Sequence, residues 1–324
     1  MNHLEKPSVC IVTPGTREAN NGNWRTASRW ARMLRPDYRV ILQTRWDGSA
    51  CDAMIALHAH RSADSIAAFR KRGPGGLGVV LTGTDLYRDL PESRAASQSL
   101  DMADRIAVLQ DDAPRLLAGT WRDKTDVIFQ SATTVRARAR SVAHLDCVVV
   151  GHLRPEKDPE TLFEAVRQLP AEVAVRVRHF GAPLDRALGK SARALAKRDP
   201  RYRYCGAVPR GLVRAAMARS ALLLHPSVVE GGANVVVEAI TCGAAVIASR
   251  ISGNVGMLGV DYPGYFEPRN ALAFAELITR AAREPKFLGR LARASRKRSP
   301  LFHPEAETRA VRNLAQRLTH RTER

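Results

Sequence analysis

The densest concentration of chemistry-bearing residues is His225-Pro226-Ser227-Val228-Val229-Glu230-Gly231-Gly232-Ala233-Asn234, running on into Val235–Ile240. An apolar run ends at His225, a glycine-containing turn follows, and a helical pattern begins near Ala233. Gly231 and Gly232 let the backbone approach a ligand closely, and the first-turn amides of the helix then point at it. Such a helix start favours an anion, and a diphosphate suits it. Glu238 sits among Val235, Val236, Val237, Ala239 and Ile240. A carboxylate there needs hydroxyls or a cation to satisfy it. Reaching solvent or pairing with a core arginine would serve as well.

A second stretch, Val148-Val149-Val150-Gly151-His152-Leu153-Arg154-Pro155-Glu156-Lys157-Asp158-Pro159, places two cations three residues apart after an apolar run. Asp158 is the expected cap of the helix that follows, with Pro159 at its first position. Cations at a strand's carboxyl end beside a helix start make a phosphate clamp. By itself the signal is weak, because basic loops are common. In the first half of the chain, polar residues again follow apolar runs. They are Thr13-Pro14-Gly15 with Gly22, Asn23 and Arg25, then His58 and His60, then Thr82-Gly83-Thr84-Asp85.

These residues need a scaffold, and the pattern supplies one. Short β-branched runs predict strands at Val9–Thr13, Val40–Gln43, Met54–Leu57, Val79–Thr82, Ile106–Leu109 and Val127–Phe129. A second series runs Val148–Val150, Val175–Phe180, Tyr202–Cys205, Leu222–His225 and Ala245–Ala248. Helical periodicity lies between them, as in Trp24–Leu34, Ser65–Arg72, Thr161–Leu169, Val213–Ala218, Val235–Cys242 and Leu272–Arg283. Strands apolar throughout and separated by helices predict parallel sheets covered on both faces. The expected fold is α/β, with two Rossmann-like, doubly wound domains and ligands at the carboxyl ends of the strands. The Arg-rich stretch Val135–Ala143 reads as the linker. It divides an N-terminal domain at 1–143 from a C-terminal one at 144–302, with a last helix at 303–324 crossing back to the first domain.

Composition narrows the function. The chain has 324 residues, 45% hydrophobic and 26% charged, which suits two globular cores. Its five cysteines are scattered with no metal-ligand spacing, so reduced thiols and a cytoplasmic setting are expected. Neither a spanning apolar run nor a signal-peptide layout is visible. The net charge of +19 comes mostly from dispersed arginines, with eight lysines, and reads as solvated surface. No helix-turn-helix, RNA-recognition aromatic pair or zinc finger appears, so nucleic acid is not an expected partner.

Together, the Glu230 and Lys157 stretches resemble the retaining, GT-B-fold glycosyltransferases of family 4, over most of the second domain. The resemblance extends to Val246-Ile247-Ala248-Ser249 and the Gly253-Asn254 turn. It implies two doubly wound domains facing across a cleft, with Glu230 against the donor sugar and Glu238 on the ribose hydroxyls. The amides of Gly231, Gly232, Ala233 and Asn234 would face the diphosphate and sugar, and Lys157 would bind the diphosphate. The loop Gly206-Ala207-Val208-Pro209-Arg210 would line the uracil. That family usually carries arginine directly after the opening glycine. Here Gly151 is followed by His152, and Arg154 is the candidate to supply that charge. The implied catalytic set is Glu230, Lys157, Arg154 and His58, and the implied donor set adds Gly151, His152, Val208 and Glu238. Gly22, Asn23, Arg25, His60, Thr84 and Asp85 would hold the acceptor. No metal or cofactor is implied.

The wording of Gly22–Ala27, Leu81–Tyr87, Gly151–Arg154 and Glu230–Asn234 resembles a narrower group, the selenosugar synthases. That resemblance implies a UDP-sugar and selenophosphate as the small-molecule substrates. Two other readings stay open: sugar transfer to the hydroxyl of a lipid or polysaccharide, and a basic protein that binds nucleotide-sugars or nucleic acid without turnover.

Overall fold

The computed structural model describes residues 6–18, 22–83 and 85–320. The chain divides into two compact units, Met1–Gln130 with Pro304–Arg324, and Ser131–His303.

The first unit is built on Ser8–Val12 (β1), Arg39–Gln43 (β2), Ala53–Leu57 (β3), Gly76–Val80 (β4), Arg105–Val108 (β5) and Thr125–Val127 (β6). All pair in parallel, in the order β2-β1-β3-β4-β5-β6. Alternation along β1 explains the two covered faces. Val9 and Ile11 enter one apolar cluster with Trp30 and Leu34 of the helix Gly22–Leu34, while Cys10 and Val12 enter another with Ile66 and Phe69. The helix Pro304–Thr319 completes the first cluster with Val311, Leu314, Ala315 and Leu318. Its Glu307 is 1% exposed. Trp30 Nε1 donates to it at 2.8 Å and Arg29 Nε at 2.8 Å, so the buried charge is paired and hydrogen-bonded. A Cβ on Gly76 would stand 2.1 Å from the Leu318 carbonyl, so only glycine lets this helix end lie so close to β4.

The second unit contains Leu145–Val150 (β7), Val175–Phe180 (β8), Tyr202–Gly206 (β9), Leu222–His225 (β10), Ala245–Ser249 (β11) and Tyr265–Phe266 (β12). Their order, β12-β11-β10-β7-β8-β9, is that of a doubly wound dinucleotide-type sheet. The winding reverses between β7 and β10 here, and between β1 and β3 in the first unit. Crevices beside the carboxyl ends of strands at such reversals are where ligands bind.

Three features depart from the sequence reading. Strand β6 pairs at Thr125–Val127, two residues before the expected Val127–Phe129. β12 and the basic helices Arg186–Arg198 and Pro285–Arg298 were not foreseen. The expected linker at 135–143 lies within the second unit. There the Val135 amide donates to the Thr241 carbonyl at 3.0 Å and the Arg138 amide to Ala218 at 2.8 Å. Backbone bonding, which composition does not display, decides that attachment. No helix among the described residues is long and apolar enough to cross a membrane.

Candidate active site

In the second unit, β7 and β10 are direct neighbours, with Cys147 opposite Leu222 and Val148 opposite Leu223. Their carboxyl ends therefore deliver Gly151–Lys157 and Pro226–Ala233 to one crevice. The Val228 amide donates to the Glu156 carbonyl at 3.0 Å and ties the two loops together. Lys157 Nζ bonds the Glu230 carboxylate, and His225 Nε2 lies 3.3 Å from the same oxygen. Burial works against the charge of Glu230. The Lys157 ammonium and the His225 contact outweigh it and hold this carboxyl far below the usual range. The site thus keeps an ionised carboxylate and a cation together at a strand end.

The helix Asn234–Thr241 starts directly after this turn, and no side chain caps its first residue position. Its leading amides are therefore available to an anion. The turn itself is held from behind. A Cβ on Gly253 would stand 1.9 Å from the Glu230 carbonyl oxygen, so the helix Ser252–Leu258 abuts the turn through bare backbone. Ser249 Oγ bonds the Ser227 carbonyl, and Asn254 Nδ2 donates to the Ser249 carbonyl at 2.9 Å.

Glu238 is 7% exposed, and Arg210 Nε donates to it at 2.7 Å. Of the alternatives open from the sequence, the structure selects an arginine partner, but one whose side chain is half exposed and not in the core. Arg210 begins the helix Arg210–Arg219 just after Val208 and Pro209, so the loop after β9 is joined to the Glu238 helix. His152 Nδ1 accepts a 2.9 Å bond from the Ala182 amide, which fixes the ring against the loop after β8. Arg154 is about half exposed, with Nε 3.9 Å from Glu156. Asp158 adopts a left-handed conformation (φ 45°) and caps the Pro159–Gln168 helix, bonding Thr161 Oγ1 at 2.6 Å. Sequence reasoning missed His179, whose Nε2 lies 3.3 Å from the Gly151 carbonyl and whose Nδ1 lies 2.8 Å from Tyr202 Oη. Burial lowers its pKa to about 4, so a neutral ring supports Gly151. His225 and Arg210 fall within motifs visible in the sequence, but their pairings cross from one loop to another and leave no local signal.

In the first unit, the loops after β1, β3 and β4 share the carboxyl edge of one sheet. Gly22, Asn23 and Arg25 occupy the first turn of the Gly22–Leu34 helix. His58 has φ 73° and is 1% exposed, with Nδ1 3.2 Å from Asp85 and Nε2 3.4 Å from Asp89. Burial lowers its pKa to about 4. It is therefore a sealed, neutral ring rather than an open imidazole. Asp85 is fully buried and accepts the amides of Ala59 at 2.9 Å, Thr82 at 3.3 Å and His60 at 3.5 Å. Burial raises its pKa to about 7 against these bonds. His60 Nδ1 lies 2.7 Å from Ser93 Oγ. Asp89, on the π-helical turn Asp85–Asp89, is a neighbour that the sequence reading did not name. Thr84 lies outside the described residues. His58, Asp85 and Asp89 hold ligand atoms within 4.8 Å of one another, close enough for a cation, although backbone amides already engage both Asp85 oxygens.

Two doubly wound units, one bearing an ionised carboxylate–cation pair and an uncapped helix start at its strand reversal, give the chain the fold of the GT-B glycosyltransferases. Residues 141–298, nearly all of the second unit, match the family described as Glycosyl transferases group 1. Among solved structures, the sucrose-phosphate synthase of Thermosynechococcus elongatus is similar at 16% identity and TM-score 0.77, covering 97% of this chain and 100% of that one. HepE of Anabaena, in complex with UDP and glucose, is similar at 15% identity and TM-score 0.72, covering 96% and 100%. A glycosyltransferase from Rickettsia africae gives 13% identity and TM-score 0.75, covering 98% and 99%. No curated protein matches the sequence significantly.

Proposed function

We propose that the enzyme transfers a glucose-type sugar from its UDP conjugate, UDP-glucose or UDP-N-acetylglucosamine, to selenophosphate, giving a selenosugar and UDP. The observation that carries the donor half is the Lys157–Glu230–His225 cluster beside the uncapped Asn234–Thr241 helix. In this reading the selenium of selenophosphate bonds to the anomeric carbon as the bond from that carbon to the diphosphate breaks, its electron pair leaving with UDP, and water then releases the phosphoryl group from selenium as phosphate. Lys157 and the amides of Gly231, Gly232, Ala233 and Asn234 meet that growing negative charge, which is the most effective place for fixed donors. Arg154 adds a second cation beside Gly151 and His152. Glu230 orients the sugar, Glu238 with Arg210 holds the ribose, and Val208 lines the base. HepE, of similar fold, has been solved with UDP and glucose, which supports the choice of nucleotide.

The selenium half rests on the wording of Gly22–Ala27, Leu81–Tyr87, Gly151–Arg154 and Glu230–Asn234, which resembles the selenosugar synthase SenB. Selenophosphate is already an anionic nucleophile and needs no dedicated base, in keeping with a neutral His58 whose Nδ1 accepts the Arg61 amide at 3.3 Å. Gly22, Asn23, Arg25, His60 and Thr84 would form the acceptor side, with the buried Asp85 holding the His60 loop through its amides. Arg25, at a helix start, offers a guanidinium and the helix dipole to a phosphate. Mass spectrometry of the enzyme with a UDP-sugar and selenophosphate tests the proposal. A hexose-sized product carrying selenium's isotope pattern is expected, and Arg25→Ala should impair selenophosphate use more than UDP binding. Consumption of the UDP-sugar with alcohol acceptors only would refute the selenium assignment and leave an ordinary hydroxyl transferase.

A further inference from the structure

The second unit has a pocket of about 390 Å³ at the opposite end of its sheet from Glu230. Ile240 and Gly243, at the end of the Asn234–Thr241 helix, form one wall. Arg138 and Arg140 arrive from the 131–143 segment, and Ser295 and Arg296 from the helix Pro285–Arg298. The volume lies within the range of roughly 300–1,000 Å³ typical of small-ligand sites.

Three arginines line this space, and among the described residues no carboxylate pairs with any of them. Arg140 donates to the Gly243 carbonyl at 2.5 Å, so the negative end of the helix is already covered by one cation. Arg138, Arg140 and Arg296 are each exposed, so the concavity presents their positive charge to solvent, where it attracts anions. Burial, together with the charge of Arg296, pulls Arg140 below its ordinary value, which shows the two cations to be crowded. Planar guanidiniums match phosphoryl oxygens in bidentate geometry. Ser295, 3% exposed, has its hydroxyl held 3.0 Å from Tyr262 Oη. The rest of the lining is aliphatic, with no aromatic ring to stack on a base.

We propose that this pocket is a second anion site, taking a compact phosphorylated molecule of sugar-phosphate size. It is distinct from the diphosphate clamp and does not depend on the sugar-transfer reading. Isothermal calorimetry with glucose 6-phosphate and with inorganic phosphate tests it on the full chain, on Arg296→Ala and on Lys157→Ala. Arg296 sits on an exposed helix face, and Arg138→Ala serves as a second variant should the first melt lower. Glucose 6-phosphate should bind wild type and Lys157→Ala alike, and both pocket variants roughly tenfold or more weakly, the scale of one lost charge-assisted bond. Inorganic phosphate should bind less tightly than the sugar phosphate. Unchanged affinity in the two pocket variants would overturn the proposal. So would loss of binding in Lys157→Ala, equal affinity for inorganic phosphate, or no binding at concentrations on the order of millimolar.

Discussion

Replacing Gly253 with alanine tests how the Glu230 turn is held. The added Cβ would stand 1.9 Å from the Glu230 carbonyl oxygen, 2.7 Å from its carbon and 2.9 Å from its Cβ, against a practical minimum of 3.0 Å. All three contacts are to backbone or to the stem of the side chain, so no rotamer change relieves them. Either the Ser252–Leu258 helix or the Glu230 turn must retreat by about 1 Å, a displacement that costs about 100-fold when it moves reacting groups. Overpacking of this kind costs about 1–3 kcal/mol of stability, or a few degrees of melting temperature in a unit of this size. The Lys157–Glu230 pair should loosen while the fold persists. UDP affinity by calorimetry, UDP release from UDP-glucose, and thermal melting read these effects separately. Gly211→Ala is the control, since nothing lies within 4 Å of its added Cβ and it sits in a helix, where alanine is favoured. Wild-type turnover and melting in Gly253→Ala would refute the claim that bare backbone contact positions Glu230.

Lys157→Ala should slow turnover about 100-fold, the scale for removing one donor from a departing charge; undiminished UDP release would remove it from the clamp. Arg154→Ala should also slow turnover, and a silent Arg154→Ala beside a damaging His152→Ala would give the second role to His152. Glu238→Ala should weaken UDP binding by about 1–3 kcal/mol in calorimetry, with little loss of melting temperature because Arg210 is half exposed; an unchanged dissociation constant would place Glu238 outside the site. Asp85→Asn should change how stability varies with pH. Burial raises the Asp85 pKa from 3.8 to about 7, so its contribution is present below the unfolded value and lost as pH rises towards 7. Relative to the variant, wild type should therefore lose up to roughly 4 kcal/mol between pH 4 and 7 in denaturant titrations, less whatever the substitution changes in the opposing titration of His58, whose Nδ1 lies 3.2 Å from Asp85. Parallel curves would show that Asp85 ionises normally.

What the sequence displays and what it hides follow from the range of each interaction. Strands such as β1 and β10 are legible because they are apolar except for Ser8 and His225 at their ends, and the cause lies within five neighbours. The Asp158–Pro159 helix start is legible for the same reason, since cap and first turn are adjacent. The Lys157–Glu230 pair spans 73 residues and exists only because β7 and β10 are neighbours. Residue types could nominate both partners, but only the sheet order joins them. The Arg210–Glu238 pair and the support of Gly151 by His179 are of the same kind. The 135–143 stretch misled in the other direction: its charge is that of a solvated linker, while two backbone bonds attach it to the second unit.

The helix Pro304–Thr319 belongs to the first unit, although the whole second unit is encoded between that helix and β6. A ribosome adding roughly 5–20 residues per second needs on the order of ten seconds or more to reach it after finishing β6. Throughout that interval the nascent first unit has no Val311, Leu314 or Leu318 over Trp30 and Leu34, and no Glu307 to receive the Trp30 indole. Part of one face of its sheet, beside the Gly22–Leu34 helix, stays open during synthesis, in a chain whose second unit can already have closed. The protein's vulnerable period therefore comes late in translation, and a stop codon only a few turns early would leave the earliest-made half without its cover.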